Sequence, residues 1–432
     1  MAPEPDIQAD ADPEATPLTA PAGGVPPVSV YPSDIADAAE ALAGGKGPFA
    51  VDAERASGFR YSNRAYLIQI RRAGAGTVLI DPVNHGGDPS TVLAPLAEVL
   101  GTDEWILHAA DQDLPCLAEL GLRPPALYDT ELAGRLAGFE RVNLATMVSR
   151  LLGLGLAKGH GAADWSKRPL PPAWLNYAAL DVEVLIELRD AIAGVLAEQN
   201  KTDWAAQEFE HVMGFTGSPT RRDRWRRTSG IHKIRDRRAL AQVREMWLAR
   251  DRMAARRDVA PSRILPDSAI IAAVREDPKT VDALTALPVF GGPKQRRSAQ
   301  TWLDALAAGR TTADLPSPSE ESSGPPPAVR WSRRKPEAAA RLEVVRAALT
   351  GVSEQVSVPT ENILAPDLMR RLCWDWSAQA EPTTAIEVFL RDGGARPWQR
   401  ELTVPVLADA LTRADKTPSG QTPVEGTPAD GS

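Results

Sequence analysis

The sequence predicts an α/β domain followed by two small domains made only of helices. From residue 48 onward, short apolar segments typical of strands alternate with helical segments. From about residue 236, apolar residues recur only at helical spacing, and a Pro/Ser-rich segment divides this helical part in two. A chain of 432 residues is long enough for about two to four domains, so three fit within it.

The elements of the first domain follow in order along the chain. The predicted strands are PFAVDAE, AYLIQIRR, TVLID and EWILHA, and a helix, STVLAPLAEVL, precedes the last of them. Helices dominate from Asp113 onward. Four glycines mark residues 151–172 as a loop, and Pro172 begins a helix that we expect to continue to Arg189.

Composition sets the expected boundaries. Both chain ends are rich in proline and polar or small residues, which predicts disorder there. The expected segments are a disordered tail (1–28), the α/β domain (29–215), a basic connector (216–235), the first helical domain (236–308), a linker (309–335), the second helical domain (336–413) and a second disordered tail (414–432).

The two helical domains share a local sequence signature. VAPSRILPD (259–267) and VPTENILAPD (358–367) both place Ile-Leu five residues after a valine and Pro-Asp soon afterwards. We interpret them as two copies of one small helical module. The alternative is a pair of ordinary helix–turn–helix junctions, which also favour proline and aspartate.

Composition also limits the classes of function. The chain has no uncharged apolar run of about 18 residues, no start typical of a secretory signal, and only two distant cysteines, Cys116 and Cys373. We therefore expect a cytoplasmic protein without a membrane span or a disulfide framework. The net charge of −8 disfavours a nucleic-acid partner, yet residues 221–257 hold fourteen Arg or Lys against four acidic residues. Such a basic stripe suits phosphate binding.

Three elements carry the candidate catalytic residues. Asp52 and Glu54 lie two apart at the end of a predicted buried strand, so their side chains share one face. Asp113 follows a later strand and opens a helix, while Tyr177 and Asp181 lie four apart on one helix face. Buried carboxylates need a positive partner, and hard divalent cations prefer carboxylate oxygen. Taken singly, each element also fits an ordinary strand end, helix N-cap or amphipathic helix.

In this order, the set resembles the DEDD exonuclease superfamily in its tyrosine-bearing subclass, and most closely the ribonuclease D family. The segments that resemble the three family motifs are VDAERASGFRYSNRAYLIQI, HAADQDL and DWSKRPLPPAWLNYAALDV. The resemblance covers about residues 45–215 and implies a ribonuclease H-like α/β fold, a mixed sheet flanked by helices. The two helical domains resemble the helicase-and-ribonuclease-D C-terminal (HRDC) domain.

The resemblance also implies an active site and a reaction. Asp52, Glu54, Asp113 and Asp181 would hold two divalent ions, Mg²⁺ or Mn²⁺, and Tyr177 would orient the attacking water. Such a 3′→5′ exoribonuclease hydrolyses RNA from its 3′ end and releases nucleoside 5′-monophosphates. The expected partner is structured RNA with a 3′ extension, such as a tRNA precursor, and no protein partner is predictable.

Two positions depart from the superfamily pattern. Ala53 and Arg55 stand where Thr and Phe are frequent. These departures concern the pocket for the 3′-terminal nucleotide more than the metal ligands. Asp129 is a further acidic residue of the domain, and we expect it to cap a helix.

Basic and aromatic residues provide candidate contacts to RNA. Near the site we expect Lys158, Lys167 and Arg168 to contact phosphates, and solvent-exposed loop charge is the alternative. In the connector, arginines and a tryptophan are expected to bind phosphates and stack on bases: Arg221, Arg222, Arg224, Trp225 and Arg226. An exposed inter-domain connector is the alternative there.

Two other functions stay open at the level of sequence. A protein of the same fold could act on DNA, although the chain lacks the Gly-x-x-x-x-Gly-Lys-Ser/Thr loop expected of an accompanying helicase. A catalytically silent RNA-binding protein could keep the scaffold. The presence of all five candidate catalytic residues argues against it, whereas the fold alone would not.

Overall fold

The computed structural model describes residues 15–83, 87–156, 159–217, 222–318 and 324–416. None of the helices in those ranges has the length and apolar character that a membrane crossing requires. The strands in those ranges are β1 (Thr16–Leu18), β2 (Val28–Ser29), β3 (Lys46–Arg55), β4 (Ala65–Ala73), β5 (Gly76–Ile80), β6 (Trp105–Leu107), β7 (Leu127–Asp129) and β8 (Leu154–Leu156).

A mixed sheet forms the centre of the α/β domain, with the strand order β2-β5-β4-β3-β6-β7. Strands β3, β4 and β5 form an antiparallel meander, whereas β6 runs parallel to β3, and β7 runs parallel to β6. Strand β3 is central because Phe49, Ala50 and Val51 are buried and the strand is paired on both sides. The predicted mixed α/β sheet is confirmed.

The α/β domain also contains nine helices among the described residues: α1 (Pro32–Ala43), α2 (Pro89–Val92), α3 (Ala94–Leu100), α4 (Leu114–Glu119), α5 (Thr130–Leu136), α6 (Leu144–Leu152), α7 (Pro172–Glu183), α8 (Leu185–Glu198) and α9 (Thr202–Met213). Helix α7 packs across β3, β4 and β5. Pro172 begins α7 as predicted, but the continuous helix to Arg189 is wrong. Helix α7 ends at Glu183 and α8 begins at Leu185, and the residue between them, Val184, has a φ of −106° and a ψ of −6° at the edge of the helical region.

Part of the predicted N-terminal tail is ordered. Strand β1 pairs in parallel with β8, which lies inside the predicted loop of residues 151–172. The Ala22 N–H donates to the Glu183 carboxylate at 3.2 Å, and the Asn176 amide donates to the Thr19 carbonyl at 2.9 Å. The strand pairing and these two hydrogen bonds hold the backbone of residues 15–22 against the α/β domain, an ordered conformation that their composition did not indicate. Residues 1–14 lie outside the described residues.

Helices alone form the rest of the described chain. The first helical domain contains α10 (Arg237–Arg257), α11 (Pro261–Ile264), α12 (Asp267–Glu276), α13 (Val281–Thr285), α14 (Pro293–Arg296) and α15 (Ala299–Thr311). The second contains α16 (Trp331–Arg334), α17 (Pro336–Val356), α18 (Thr360–Ile363), α19 (Pro366–Asp375), α20 (Pro382–Asp392) and α21 (Pro397–Lys416). The two small all-helical domains predicted from the sequence are confirmed.

The two helical domains repeat one order of elements. Each has a 21-residue helix that ends at a left-handed residue, Asp258 or Ser357, followed by a four-residue and then a ten-residue helix. The shared signature, Ile-Leu followed by Pro-Asp directly or after one residue, marks the start of that ten-residue helix in both. This shared order supports two copies of one module over two unrelated junctions.

The second helical domain packs directly on the α/β domain. The Arg396 guanidinium donates to both carboxylate oxygens of Glu208 in α9, at 2.6 and 2.7 Å. The Trp398 indole also donates to Glu208, at 2.8 Å, and stacks on Trp204 with ring centroids 4.8 Å apart. The buried Glu208 carboxylate thus accepts two hydrogen bonds from a guanidinium and one from an indole. These directional contacts fix one orientation of the two domains.

Candidate active site

The acidic cluster expected from the sequence forms where α7 crosses the sheet. Asp52 and Glu54 project from the same face of β3 because they are two residues apart, and Asp181 belongs to α7, which covers that strand. One carboxylate oxygen from each of these three residues lies within 4.8 Å of the others. The spacing is short enough for one cation to contact all three.

Asp113 joins the cluster from the turn that follows β6. A 3₁₀ turn (Ala110–Gln112) precedes it, and it occupies the N-cap position of α4 without making a capping hydrogen bond. The residue is buried, and its Oδ1 lacks a hydrogen bond and lies 3.4 Å from the Arg55 Nη2. The side chain of Asp113 therefore does not cap the helix, which was the ordinary alternative for this aspartate.

One cavity of about 300 Å³ brings the five predicted catalytic residues together. Its lining includes Asp52, Glu54, Asp113, Tyr177 and Asp181, together with Arg55, His108 and Gln112. These side chains come from β3, from the turn after β6 and from α7, so the folded sheet and its covering helix are needed to assemble them.

Burial makes this cluster unfavourable without a cation. Desolvation, with the charges of three neighbouring carboxylates, raises the pKa of Glu54 to about 10. Burial raises the pKa of Asp52 to about 6 and raises those of Asp113 and Asp181 well above their usual range. The Arg55 guanidinium opposes the first three shifts, but one positive charge cannot balance four carboxylates. The donor set therefore fits a divalent metal ion, which favours oxygen ligands.

A glycine-rich loop packs against Tyr177, one helical turn before Asp181. A Cβ atom at Gly159 would lie 2.6 Å from the tyrosine Cδ2, and one at Gly161 would lie 3.5 Å from its hydroxyl oxygen. The His160 ring meets the tyrosine edge-on, with centroids 6.0 Å apart. Only glycine lets the backbone approach the ring this closely at residue 159, so this loop limits where the ring can lie.

Asp129 supports the turn that carries Asp113. Its carboxylate accepts hydrogen bonds from the backbone N–H groups of Glu131 and Leu132, at 2.9 and 3.1 Å, which confirms the predicted helix cap. It also accepts from the N–H groups of Ala109 and Ala110, at 3.1 and 2.8 Å. One buried carboxylate thus ties the start of α5 to the turn beside the cavity.

His108 lines the cavity in a neutral form. Its Nδ1 lies 2.9 Å from the Thr130 hydroxyl, and burial lowers its pKa to about 4. An imidazole with that pKa carries no charge at neutral pH, so His108 does not balance the carboxylates.

The residues expected to contact RNA fall into two groups. Lys158 and Arg221 lie outside the described residues, whereas Lys167, Arg222 and Arg224 have exposed side chains. Exposure keeps these last three available for phosphate, and their contacts to RNA stay predictions.

Arg168 has a structural setting instead. Its guanidinium donates to the Asp81 carboxylate at 2.6 Å and to the Tyr66 and Trp165 carbonyls at 2.7 Å each. These contacts tie the loop after β8 to the sheet. The Arg168 side chain, which we expected to contact a phosphate, instead donates to carbonyl and carboxylate oxygens inside the domain.

Trp225 and Arg226 belong to the interior of the first helical domain. Trp225 is 3% exposed, and its indole donates to Asp223 at 3.0 Å. A ring this buried offers no free face to a base, so the structure does not support the expected stacking. Arg226 pairs with the same aspartate at 3.0 Å and donates to the Ser317 carbonyl.

Several other arginines of the basic stripe hold the linker. Arg237 and Arg238 donate to the Pro316 and Thr312 carbonyls, and Arg244 pairs with Asp314 at 2.8 Å. Charge counting missed these contacts because backbone carbonyls, which supply most of the acceptors, are not visible as charges in a sequence.

The fold and the site define a hydrolase of the 3′–5′ exonuclease class. Residues 28–197 match the family described as 3′-5′ exonuclease, and residues 239–306 match the HRDC domain. Residues 324–411 match a family described as 3′ to 5′ exonuclease C-terminal domain. The second helical domain thus has its own family description, although its helices follow the order seen in the first.

Curated relatives identify the family, and a solved structure shares the fold. Ribonuclease D of Gluconacetobacter diazotrophicus is 33% identical over 258 residues, 58% of this chain and 64% of that protein. Ribonuclease D of Acidiphilium cryptum is 32% identical over 273 residues, 60% of this chain and 68% of that protein. A crystal structure of a protein from Bifidobacterium adolescentis is similar with a TM-score of 0.83 and 35% identity, covering 92% of this chain and all of the other. The chain belongs to the ribonuclease D family of 3′–5′ exoribonucleases.

Proposed function

We propose that the protein trims structured RNA, such as tRNA precursors, from the 3′ end, using two divalent ions, Mg²⁺ or Mn²⁺. The observation that carries the proposal is the single cavity that holds four carboxylates and a tyrosine. RNA as the substrate rests on the relatives, which are named ribonuclease D. The cytoplasmic location expected from the sequence belongs to the same proposal.

Asp52, Glu54, Asp113 and Asp181 provide the oxygen atoms that would hold the ions. When bound, the ions supply Lewis-acid stabilisation of the charge that develops on the phosphate and lower the pKa of the attacking water. Water adds to the phosphorus of the last phosphodiester, and the bond to the 3′ oxygen of the preceding nucleotide breaks. The products are a nucleoside 5′-monophosphate and an RNA one nucleotide shorter, and no covalent nucleophile is required.

In this proposal Tyr177 orients the attacking water. Burial and the nearby carboxylates raise the pKa of its hydroxyl well above the usual range. The phenol therefore stays protonated at neutral pH and acts by hydrogen bonding, not as a base. Its ring position then becomes important, because an orienting group has to lie within hydrogen-bond reach of the water.

We expect Gly159→Ala to lower kcat about tenfold while KM changes little, because the new methyl group displaces the ring of Tyr177. Steady-state kinetics on a short single-stranded RNA would measure both constants. Gly194→Ala is the matched control, since a Cβ there meets nothing within 4 Å. A folded Gly159→Ala variant with the kcat of the unchanged protein would contradict the role given to this loop.

Two alternative functions make different predictions. A DNA exonuclease would have the same metal ligands, and a silent RNA-binding protein would have the same helical domains. The silent RNA-binding protein is disfavoured by two features: the Oδ1 of Asp113 is buried without a hydrogen bond, and the pKa of Glu54 is raised. A site without catalytic use gains nothing from such buried carboxylates.

The test compares three substrates of equal length under one set of conditions: a 3′-extended tRNA, a single-stranded RNA and a single-stranded DNA, each with Mg²⁺. We expect a higher kcat/KM on both RNA substrates than on DNA. A preference for DNA would favour the first alternative. Tight binding of the tRNA without any hydrolysis would favour the silent RNA-binding protein.

A further inference from the structure

One loop connects the catalytic strand to the first helical domain. Residues 56–64, here called the docking loop, join β3, which carries Asp52 and Glu54, to β4. Within the loop itself, the N–H groups of Phe59 and Arg60 donate to the Ala56 carbonyl, which forms a single turn. The other contacts of the loop reach either the active-site side of the α/β domain or the first helical domain.

Asp258 provides the first contact from the helical domain. It ends α10 in a left-handed conformation, with φ 46°. Its carboxylate accepts from the Ser62 N–H at 2.9 Å and the Tyr66 hydroxyl at 3.3 Å, and it lies 3.5 Å from the Arg64 guanidinium. Partial burial alone would raise the pKa of this carboxyl, yet these donors lower it, so the charged form is the one that the loop stabilises.

Arg263 provides a second contact, five residues further along. Its Nε donates to the Gly58 carbonyl at 2.9 Å, and its guanidinium carbon lies 4.1 Å from the centre of the Phe59 ring. The Ala260 N–H also donates to the Phe59 carbonyl, at 2.9 Å. Phe59 is therefore held by a cation–π contact and by a backbone hydrogen bond, both from the helical domain.

On its other side, the docking loop contacts the elements around Tyr177. Phe59 and Tyr177 pack against the same buried cluster, which includes Trp165 and the α7 alanines. The Arg60 Nε donates to the Ser166 hydroxyl at 2.7 Å, in the segment that continues from the glycine-rich loop beside Tyr177. A continuous set of contacts therefore runs from α10 and α11 through the docking loop to the catalytic tyrosine.

We propose that Asp258 and Arg263 are positioning residues of the active site, which hold Tyr177 in place by fixing the docking loop, Asp258 at Ser62 and Arg263 at Gly58 and Phe59. Ordering loop residues costs backbone entropy, and the contacts from the helical domain offset that cost for residues 58–62. The first helical domain thus serves the chemical step in addition to any contact it makes with RNA. This inference rests on the proposed function and assigns a further role within the same reaction.

The test uses the full chain and a dinucleotide RNA, which fills only the cavity and cannot reach the outer surface of the helical domain. Arg263→Ala removes the contacts to Gly58 and Phe59. The matched control is Arg275→Ala, an exposed arginine of α12 that makes no hydrogen bond or ion pair within the described residues. Thermal unfolding and circular dichroism establish that each variant is folded.

We expect Arg263→Ala to lower kcat on the dinucleotide about tenfold, with KM and metal affinity nearly unchanged. Arg263→Lys should recover part of the loss, because it keeps the charge over Phe59 but not the planar stack. Asp258→Asn keeps a residue that tolerates the left-handed backbone and should give a smaller loss in kcat. Arg275→Ala should leave both constants unchanged.

A double-mutant cycle with Phe59→Leu tests the route of the effect. If Arg263 acts through Phe59, the double variant should lose much less in kcat than the product of the two single losses. A folded Arg263→Ala with unchanged kcat on the dinucleotide would overturn the inference, as would a loss confined to KM on long RNA. Inactivity of the unchanged protein on every RNA would instead contradict the proposed function, and this inference with it.

Discussion

Asp52→Ala is expected to lower single-turnover hydrolysis of RNA by at least about a thousandfold, because a ligand removed from a metal site disables the whole site. The carboxylate of Asp52 lies close to those of Glu54 and Asp181, and its charge also acts on Asp113. Asp37→Ala, which removes an exposed carboxylate of α1, is the matched control and should retain full activity.

The same substitution should leave the fold intact and raise its thermal stability in the absence of metal. Four neighbouring carboxylates, two buried and two half-buried, disfavour one another in the metal-free protein, and removing one relieves part of that cost. Tyr177→Phe should cost less activity than Asp52→Ala, since it keeps the ring and loses only the hydroxyl. Equal losses for the two variants would contradict the role given to the hydroxyl.

Metal removal is expected to stop hydrolysis completely and to make stability depend on pH. The folded protein raises the pKa of Asp52 to about 6 and of Glu54 to about 10, above the values of the unfolded chain. Stability from such groups is fully present below the unfolded pKa near 4 and is lost as pH rises through the folded pKa. The metal-free protein should therefore unfold at lower temperature as pH increases from about 4 to 8.

Added Mg²⁺ or Mn²⁺ should reverse this trend and release protons on binding, since ligands have to be deprotonated. Calorimetry in two buffers of different ionisation enthalpy measures the number of protons released. The Asp52→Ala variant is the control, and its binding isotherm should lose most of the heat. Metal-free stability that rises between pH 4 and pH 8 would show that these carboxylates are not buried as the structure has them.

The pairing of the candidate metal ligands was predictable because the periodicity of a strand or a helix determines which side chains share a face. A two-residue step on a strand and a four-residue step on a helix each place side chains on one face, so Asp52 with Glu54 and Tyr177 with Asp181 could be paired from the sequence. Their convergence with Asp113 depends on β6 lying beside β3 and on α7 crossing β3. Only the family resemblance implied that arrangement.

The residues that sequence reasoning misplaced are those whose partners are backbone groups or distant segments. Trp225 and Arg226 looked like an RNA-binding pair, but their acceptors are Asp223 and the Ser317 carbonyl. Similarly, the pairing of Thr16–Leu18 with Leu154–Leu156 involves main-chain groups that every residue carries. Composition cannot distinguish such a strand from a disordered tail.

The contacts between domains could not be predicted from the sequence either. Nothing in the pattern around Asp258 or Arg263 distinguishes them from other charged residues near helix ends, and their partners lie about 200 residues earlier in the chain. The docking loop lies within the segment that resembles the first family motif, which the sequence associates with the candidate catalytic acids Asp52 and Glu54. Only the folded arrangement shows that it also carries the contact to a second domain.

The most direct test of the central claim follows the products of one reaction over time. A 3′-extended tRNA labelled at its 5′ end is incubated with the full chain in Mg²⁺ and, separately, in EDTA. We expect a ladder that shortens by one nucleotide at a time, nucleoside 5′-monophosphates as the released product, and no reaction in EDTA. Internal fragments, nucleoside 3′-monophosphates, or hydrolysis that continues in EDTA would contradict it.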